Sequence, residues 1–306
     1  MTRPGFRHEA LIYADADEFL DGTVPFLRGA LEAGEPALVA VSQARMKLLE
    51  GELGDDGAEI RFADMEALGR NPARIIPFWR EFVDEHGGRP VSGIGEPVWP
   101  GRERHEIDEC QRHETLLNVA FEGSPPVWSL LCPYDGSALG DEVLEQVDAS
   151  HPHVAREGLI SASADYVKGV DCFSGELPGR PPLMVDIDFR RDGLAQVRRR
   201  VEGAAELARL PARSSADLVL AANELAANSV AHGGGAGTLR IWRDGERLVV
   251  EVEDRGLVEE PLVGRVRPEL TQLGGRGLWL ANQLCDLVQI RSGAHGTTVR
   301  LHAAVG

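Results

Sequence analysis

Four cysteines, Cys110, Cys132, Cys172 and Cys285, are all that the 306-residue chain contains, far apart and without a CxxC pair. Neither a disulfide frame nor a cysteine zinc site of the usual spacing is indicated. Long apolar runs are missing too. No stretch approaches the roughly 20 apolar residues of a membrane span. The start, MTRPGFRHEALIYAD, has no hydrophobic signal core before its first strand-like segment. Basic residues are scarce: 32 Lys and Arg stand against 49 Asp and Glu, for a net charge of −17. Nonspecific nucleic-acid and anionic-membrane binding need a basic face, so both are excluded. Ordinary solubility accounts for the acidity, and the expected location is the cytoplasm.

What the chain does have is enough apolar residues, 43%, for real cores in two ordinary domains. Residues 8–150 alternate strand-like segments (HEALIYA, PALVAVS, EIRFAD, PVSGIGEP, PVWSLLCPYD) with helical patterns at 17–33, 43–53, 72–86, 103–121 and 141–149. Such alternation predicts crossovers and a mostly parallel sheet covered on both faces. Ligands of such sheets sit at the carboxyl ends of the strands. Those ends carry Asp15, Asp17, Ser42, Asp64, Glu96 and Asp135. A nucleotide is not expected there: no GxxxxGK[ST] occurs, and the first strand runs into the acidic DADE.

HEALIYAD, FLRGALEAGEPALVAVS, NPARIIPFWREFV, GIGEPVWPGR, ECQRHETLLN and LLCPYDG together resemble the MEDS sensory domain of methanogen and methylotroph regulators. The resemblance covers about residues 6–155 and implies a RecA-like, doubly wound α/β fold with an undefined small-molecule stimulus. On the helix at 103–121, His105, Glu109 and His113 recur at spacing four, with Cys110 one position round. Imidazole, carboxylate and thiolate on one face can share a metal. Charged faces with i,i+4 pairs are common, however, and a full ligand shell needs residues from elsewhere.

Residues 156–181 read as a linker, because FSGELPGRPPL holds no long helix. No paired heptad segment carries a phospho-acceptor histidine before the second domain, and His151 and His153 flank a proline. A histidine autokinase is therefore disfavoured.

The second domain, 182–306, is organised around SADLVLAANELAANSVAH at 215–232. As a helix capped by Ser214 or Ser215, it turns Leu218, Val219, Ala222, Leu225, Ala226 and Val230 inward. Glu224, Asn228 and His232 share the other face. Then come RLVVEVEDRGLV, ending a strand at Asp254, the glycine loop GGRGLWL at 274–280, and GAHGTTVRL at 293–301. ExxxN, DxG, GxGL and GT in this order resemble the ATP-binding module of histidine kinases, gyrase and MutL. The short form looks most like the anti-sigma-factor serine kinases.

That resemblance implies a Bergerat-type α/β sandwich, a mixed sheet with helices on one face. It also implies Mg²⁺ and ATP as cofactors and assigns roles. Glu224 is the base that orients an acceptor serine, and Asn228 is the Mg²⁺ ligand. Asp254 accepts from the adenine amino group, Gly256 leaves room for the purine, and Thr297 reaches the adenine edge. Gly275, Gly277 and Leu278 offer backbone N–H groups to phosphate, with Arg276 beside them. The partners implied are an anti-anti-sigma (STAS-type) protein and a sigma factor, and family analogy adds a homodimer. Alternatives are a non-catalytic nucleotide-dependent binding module and a histidine autokinase. One departure stands out: the family's DxGxG is here Asp254-Arg255-Gly256-Leu257-Val258, without its second glycine.

Overall fold

The computed structural model describes residues 5–123, 127–168, 173–182, 184–268 and 275–305. Cys172, Leu183 and Gly274, which figure in the sequence reading, lie outside them. The chain divides into two compact units, residues 1–170 and 171–306.

The first unit runs β1 (Phe6–Tyr13), α1 (Ala16–Glu32), β2 (Ala37–Val41), α2 (Gln43–Leu53), β3 (Ile60–Asp64) and α3 (Met65–Leu68). It continues through α4 (Ile75–Glu85), β4 (Val91–Gly95), α5 (Arg104–Ala120), β5 (Trp128–Asp135), α6 (Asp141–Ser150), β6 (His153–Arg156) and β7 (Leu159–Ala162). The sheet order is β3-β2-β4-β5-β1-β6-β7, parallel except for the last pairing. Period-two alternation divides each strand between two apolar layers. Leu11 and Tyr13 of β1 meet Phe19, Val24 and Leu27 of α1 on one face. On the other, Trp128 of β5 packs against Phe6, Trp79 and Phe121.

The stretch read as a linker begins inside this sheet. Glu157 and Gly158 both have positive φ, 49° and 75°, and so close a two-residue hairpin between β6 and β7. Glutamate is a poor residue for that conformation, which hides the turn from sequence reading.

The second unit runs β8 (Val185–Arg190), α7 (Leu194–Leu207), α8 (Ala212–His232), β9 (Ala236–Asp244), β10 (Arg247–Asp254), α9 (Arg276–Leu284), β11 (Leu287–Gly293) and β12 (Gly296–Ala304). Its sheet order is β11-β12-β10-β9-β8, and every pairing is antiparallel where a mixed sheet was expected. The reason is the connection from β8 to β9. It is an αα-hairpin, so the chain crosses the sheet an even number of times and returns reversed. Helix α8 starts at Ala212, directly after Pro211 (φ −53°), without a side-chain cap, so neither Ser214 nor Ser215 serves as one. The locked φ and missing N–H of proline suit a helix start.

Leu218, Ala222 and Leu225 of α8 join Leu239, Val250, Val252, Val299 and Leu301 of the sheet in one core. Val219 and Val230 only flank it, while Ser229 is fully buried. On the opposite sheet face the buried carboxylate of Glu251 is held by Arg180, Arg240 and Arg300 at 2.7, 3.0 and 2.7 Å. Among the described residues, no helix is long and apolar enough to cross a membrane.

At the carboxyl ends of the first sheet, Glu96 is 2% exposed and accepts the Tyr13 hydroxyl at 2.8 Å. The Arg45 guanidinium lies 4.8 Å over the Tyr13 ring and pairs with Asp135 at 3.3 Å. Burial outweighs these partners and pushes the Glu96 carboxyl from 4.5 up to about 7. A raised carboxyl favours the fold when protonated. Its contribution is therefore complete below about pH 4.5 and is lost as pH climbs through about 7, a difference of about 3 kcal/mol. We expect Glu96→Gln to abolish this slope and to leave the first unit more stable than wild type at pH 8. Hydrogen exchange of β1 and β4 amides in urea, at pH 5 and pH 8, measures it.

Candidate functional site

Three elements of the second unit build the site. Helix α8 supplies Glu224 and Asn228, one turn apart and half-buried, while His232 at its end is exposed. Strand β10 ends at Asp254, opposite Thr297 of β12 in the antiparallel register. Helix α9 begins with Gly275 as its N-cap, in the left-handed conformation at φ 76°. Only glycine takes that conformation freely.

Asp254 is held from two sides. Ser229 Oγ donates to its Oδ2 at 2.5 Å, and the Gly256 N–H donates to its Oδ1 at 2.7 Å. An ionised carboxylate has about four acceptor positions, so each oxygen keeps one for a further donor. Two neighbouring backbones also pack closely against this residue. A Cβ on Gly233 would lie 2.4 Å from Asp254 Cγ, and one on Gly296 would lie 2.0 Å from the Asp254 carbonyl oxygen. Gly256 has a similar reason to be glycine. Its Cβ would meet Asp254 Oδ1 and the His232 carbonyl oxygen, each at 3.0 Å, so the end of α8 demands this glycine whatever a purine requires.

Thr297 is buried, and its hydroxyl donates to the Gly256 carbonyl at 2.9 Å. Its oxygen lies 2.8 Å from Ser292 Oγ, which accepts the Val258 N–H at 2.8 Å. The threonine proton is thus already engaged in tying β12 to the turn after β10. What it has to offer a ligand is its oxygen. Val258, standing where the family has its second glycine, is fixed by the same chain.

Gly277 brings α9 to α8. Its Cβ would lie 2.8 Å from Asn228 Nδ2 and 3.3 Å from Glu224 Cβ. The close approach sets the first turn of α9 against the polar face of α8. Gly275, as the N-cap residue, contributes no side-chain hydrogen bond to that turn, and the first N–H groups of an α-helix have no acceptor within the helix itself. Backbone donors and the helix dipole at such an end favour a phosphate. Leu278 is buried and anchors the helix, and Arg276 opens it from an exposed position. Adenine amino group, phosphates and a hydrated divalent ion thus each have a fitting counterpart in Asp254, the α9 end and Asn228. The residues present fit Mg²⁺-ATP.

Sequence reading missed Ser229, Gly233 and Ser292 as parts of the site, and gave Gly296 only as the glycine of the Gly-Thr motif. Ser229 had a signal: a small polar residue one turn beyond Leu225 and Ala226, on the apolar face. The glycines act by contacts that only the fold creates.

Residues 7–152 match the family model of the MEthanogen/methylotroph, DcmR Sensory domain. Residues 188–303 match that of the histidine kinase-like ATPase domain. The chain therefore joins a sensory domain to an ATPase domain of the histidine-kinase-like class. The first unit is thus similar to a sensory domain and the second to an ATP-binding domain. The crystal structure of the RsbU and RsbW domains of Rv1364c from Mycobacterium tuberculosis matches at 22% identity with a TM-score of 0.31. The match covers 41% of this chain and 33% of the other, so it spans about a third of that protein's solved length. A search of curated proteins gave no match.

The set that recurs along α5 is not gathered into a metal centre among the described residues, although Glu109, Cys110 and His113 are buried. His105 lies 3.5 Å from Glu103, Glu109 lies 3.6 Å from Arg112, and Cys110 Sγ donates to the Pro97 carbonyl.

Two substitutions test the clamp on Asp254. Ser229→Ala removes one charge-assisted bond and is expected to weaken ATP binding about 10-fold, by about 1.5 kcal/mol. Gly233→Ala displaces the carboxylate itself and is expected to abolish measurable binding, with the far-ultraviolet circular dichroism unchanged. Calorimetric titration of the full chain with ATP reads both.

Proposed function

We propose that the second unit is an anti-sigma-type protein serine/threonine kinase, controlled by a small-molecule signal received in the first. Its substrate is a STAS-type anti-anti-sigma protein, and in one nucleotide state it sequesters a sigma factor as a homodimer. Mg²⁺-ATP supplies the transferable phosphoryl group. Asn228 holds the ion through its side-chain oxygen, and the N–H groups from Gly275 to Leu278, with Arg276, hold the phosphates. Glu224 orients the acceptor hydroxyl and takes its proton, a task for a carboxylate within hydrogen-bond reach. Positioning and charge neutralisation do most of the rest.

The observation that carries this reading is the contact of Gly277 with Asn228 and Glu224. It brings the Glu224 Cβ close to the start of α9, which supports a carboxylate acting near bound phosphate, where a binding module would need only the amide. Against autophosphorylation stands His151, which is fully buried.

We expect Glu224→Gln to lower phosphorylation of STAS-type proteins from the same genome by 100-fold or more, with ATP affinity within about threefold of wild type. The phosphate should sit on the partner and resist acid. Unchanged transfer by Glu224→Gln, or acid-labile phosphate on this chain alone, would contradict the proposal.

A further inference from the structure

Four side chains of the first unit meet in its interior, apart from His105, Glu109 and Cys110 of α5. They are His8 of β1, Glu114 of α5, Cys132 of β5 and His151, which follows α6, and none is more than 2% exposed. One potential ligand atom from each lies within 4.8 Å of all the others. Register explains the meeting. His8 and Cys132 stand two rungs apart on neighbouring parallel strands, and alternation turns both to the face covered by α5 and α6.

Protons are short at this place. Asn118 Nδ2 donates to the Ser150 carbonyl at 2.8 Å, which turns Asn118 Oδ1 toward His8 Nδ1 at 3.1 Å. An amide oxygen only accepts, so His8 carries its proton on Nδ1. His151 Nδ1 lies 2.9 Å from the Val147 carbonyl, and the same logic protonates it there. In its neutral form each imidazole then points a bare Nε2 lone pair inward. Both point at Glu114 Oε2, itself an acceptor, from 3.0 Å for His8 and 3.3 Å for His151. Cys132 Sγ lies 3.3 Å from His8 Nε2 and 3.6 Å from Glu114 Oε2. Its single S–H serves one of these acceptors at a time. Such a gathering of lone pairs away from water is costly unless a positive charge sits among them.

The separations suit a metal ion. A tetrahedral ion bound at roughly 2.0–2.1 Å by N and O and 2.3 Å by S has edges of roughly 3.3–3.6 Å. The four distances above run from 3.0 to 3.6 Å. Histidine ligands characteristically donate their other ring N–H to a carbonyl or carboxylate oxygen, as both do here.

We propose that His8, Glu114, Cys132 and His151 form a closed four-ligand site for a borderline divalent transition metal, with Zn²⁺ the best-fitting ion. Two imidazoles, one thiolate and one carboxylate match its preferences, and four protein ligands make a closed rather than an open site. The ion crosslinks β1, β5, α5 and α6. Buried on every side, it enters or leaves only when the domain opens. This inference is independent of the kinase reading.

The test uses the full-length protein. Elemental analysis of the purified chain is expected to find one Zn²⁺ per chain, and X-ray absorption at the zinc edge one sulfur at about 2.3 Å with three N/O neighbours at about 2.0–2.1 Å. After exchange with Co²⁺, a thiolate-to-cobalt absorption band should appear. It should vanish in Cys132→Ser and persist in the α5 variant His105→Ala, whose half-buried side chain lies outside the quartet. A purified chain that holds no metal and takes up neither ion on refolding overturns the proposal. So does a sulfur-free zinc shell, or a cobalt–thiolate band that survives Cys132→Ser. If that variant does not fold, the wild-type absorption spectrum still decides.

Discussion

The ATPase unit depends on the fixed position of one carboxylate. Asp254 stands at the end of β10, where the sheet, the end of α8 and the start of β12 converge. Ser229 and the Gly256 N–H each hold one of its oxygens, and glycines at 233 and 296 let the neighbouring backbones close in. A buried small polar residue, three glycines and the hydroxyl pair Thr297–Ser292 all serve this geometry. A carboxylate held at both oxygens can select a donor by position. Ordering a loose carboxylate on binding would cost entropy that this arrangement has already met during folding.

The phosphate end follows different logic. Gly275 turns the chain into α9, and Gly277 lets that helix close on Asn228 and Glu224. In the proposed site the phosphate donors are backbone groups at the start of α9, whose placement the fold fixes. Val258 stands where the family has its second glycine after Asp254. Val258 is fastened by Ser292 instead, so the turn after β10 is tied to the sheet at a point where the family pattern would permit freedom.

Much of this was legible in the sequence. Helix spacing put Glu224 and Asn228 on one face, and motif order located Asp254, Gly275 and Gly277. Parallel strands in the first unit followed from alternation alone. What escaped depended on contacts between distant segments. Ser229 reads as a helix filler until Asp254 arrives beside it, 25 positions later. The β6–β7 hairpin hid behind a glutamate at positive φ. The buried quartet hid best of all: its members are separated by up to 143 positions, from His8 to His151. The local spacing on α5 drew attention to His105 and Cys110, while Glu114, one residue past His113, is the helix's contribution to the quartet. Spacing along one helix cannot reveal what two neighbouring strands bring to it.

Nucleotide selectivity tests the central claim, that a clamped Asp254 reads adenine, more directly than any other measurement. ATP and GTP affinities of the full chain should be compared for wild type and Asp254→Asn. The account predicts that wild type prefers ATP by roughly 100-fold, from a hydrogen bond to a charged acceptor of about 1.5–3 kcal/mol. Asp254→Asn, whose amide can donate to the guanine oxygen, should cut that preference below about tenfold. Equal affinities in wild type, or an unaltered preference in the variant, would contradict it.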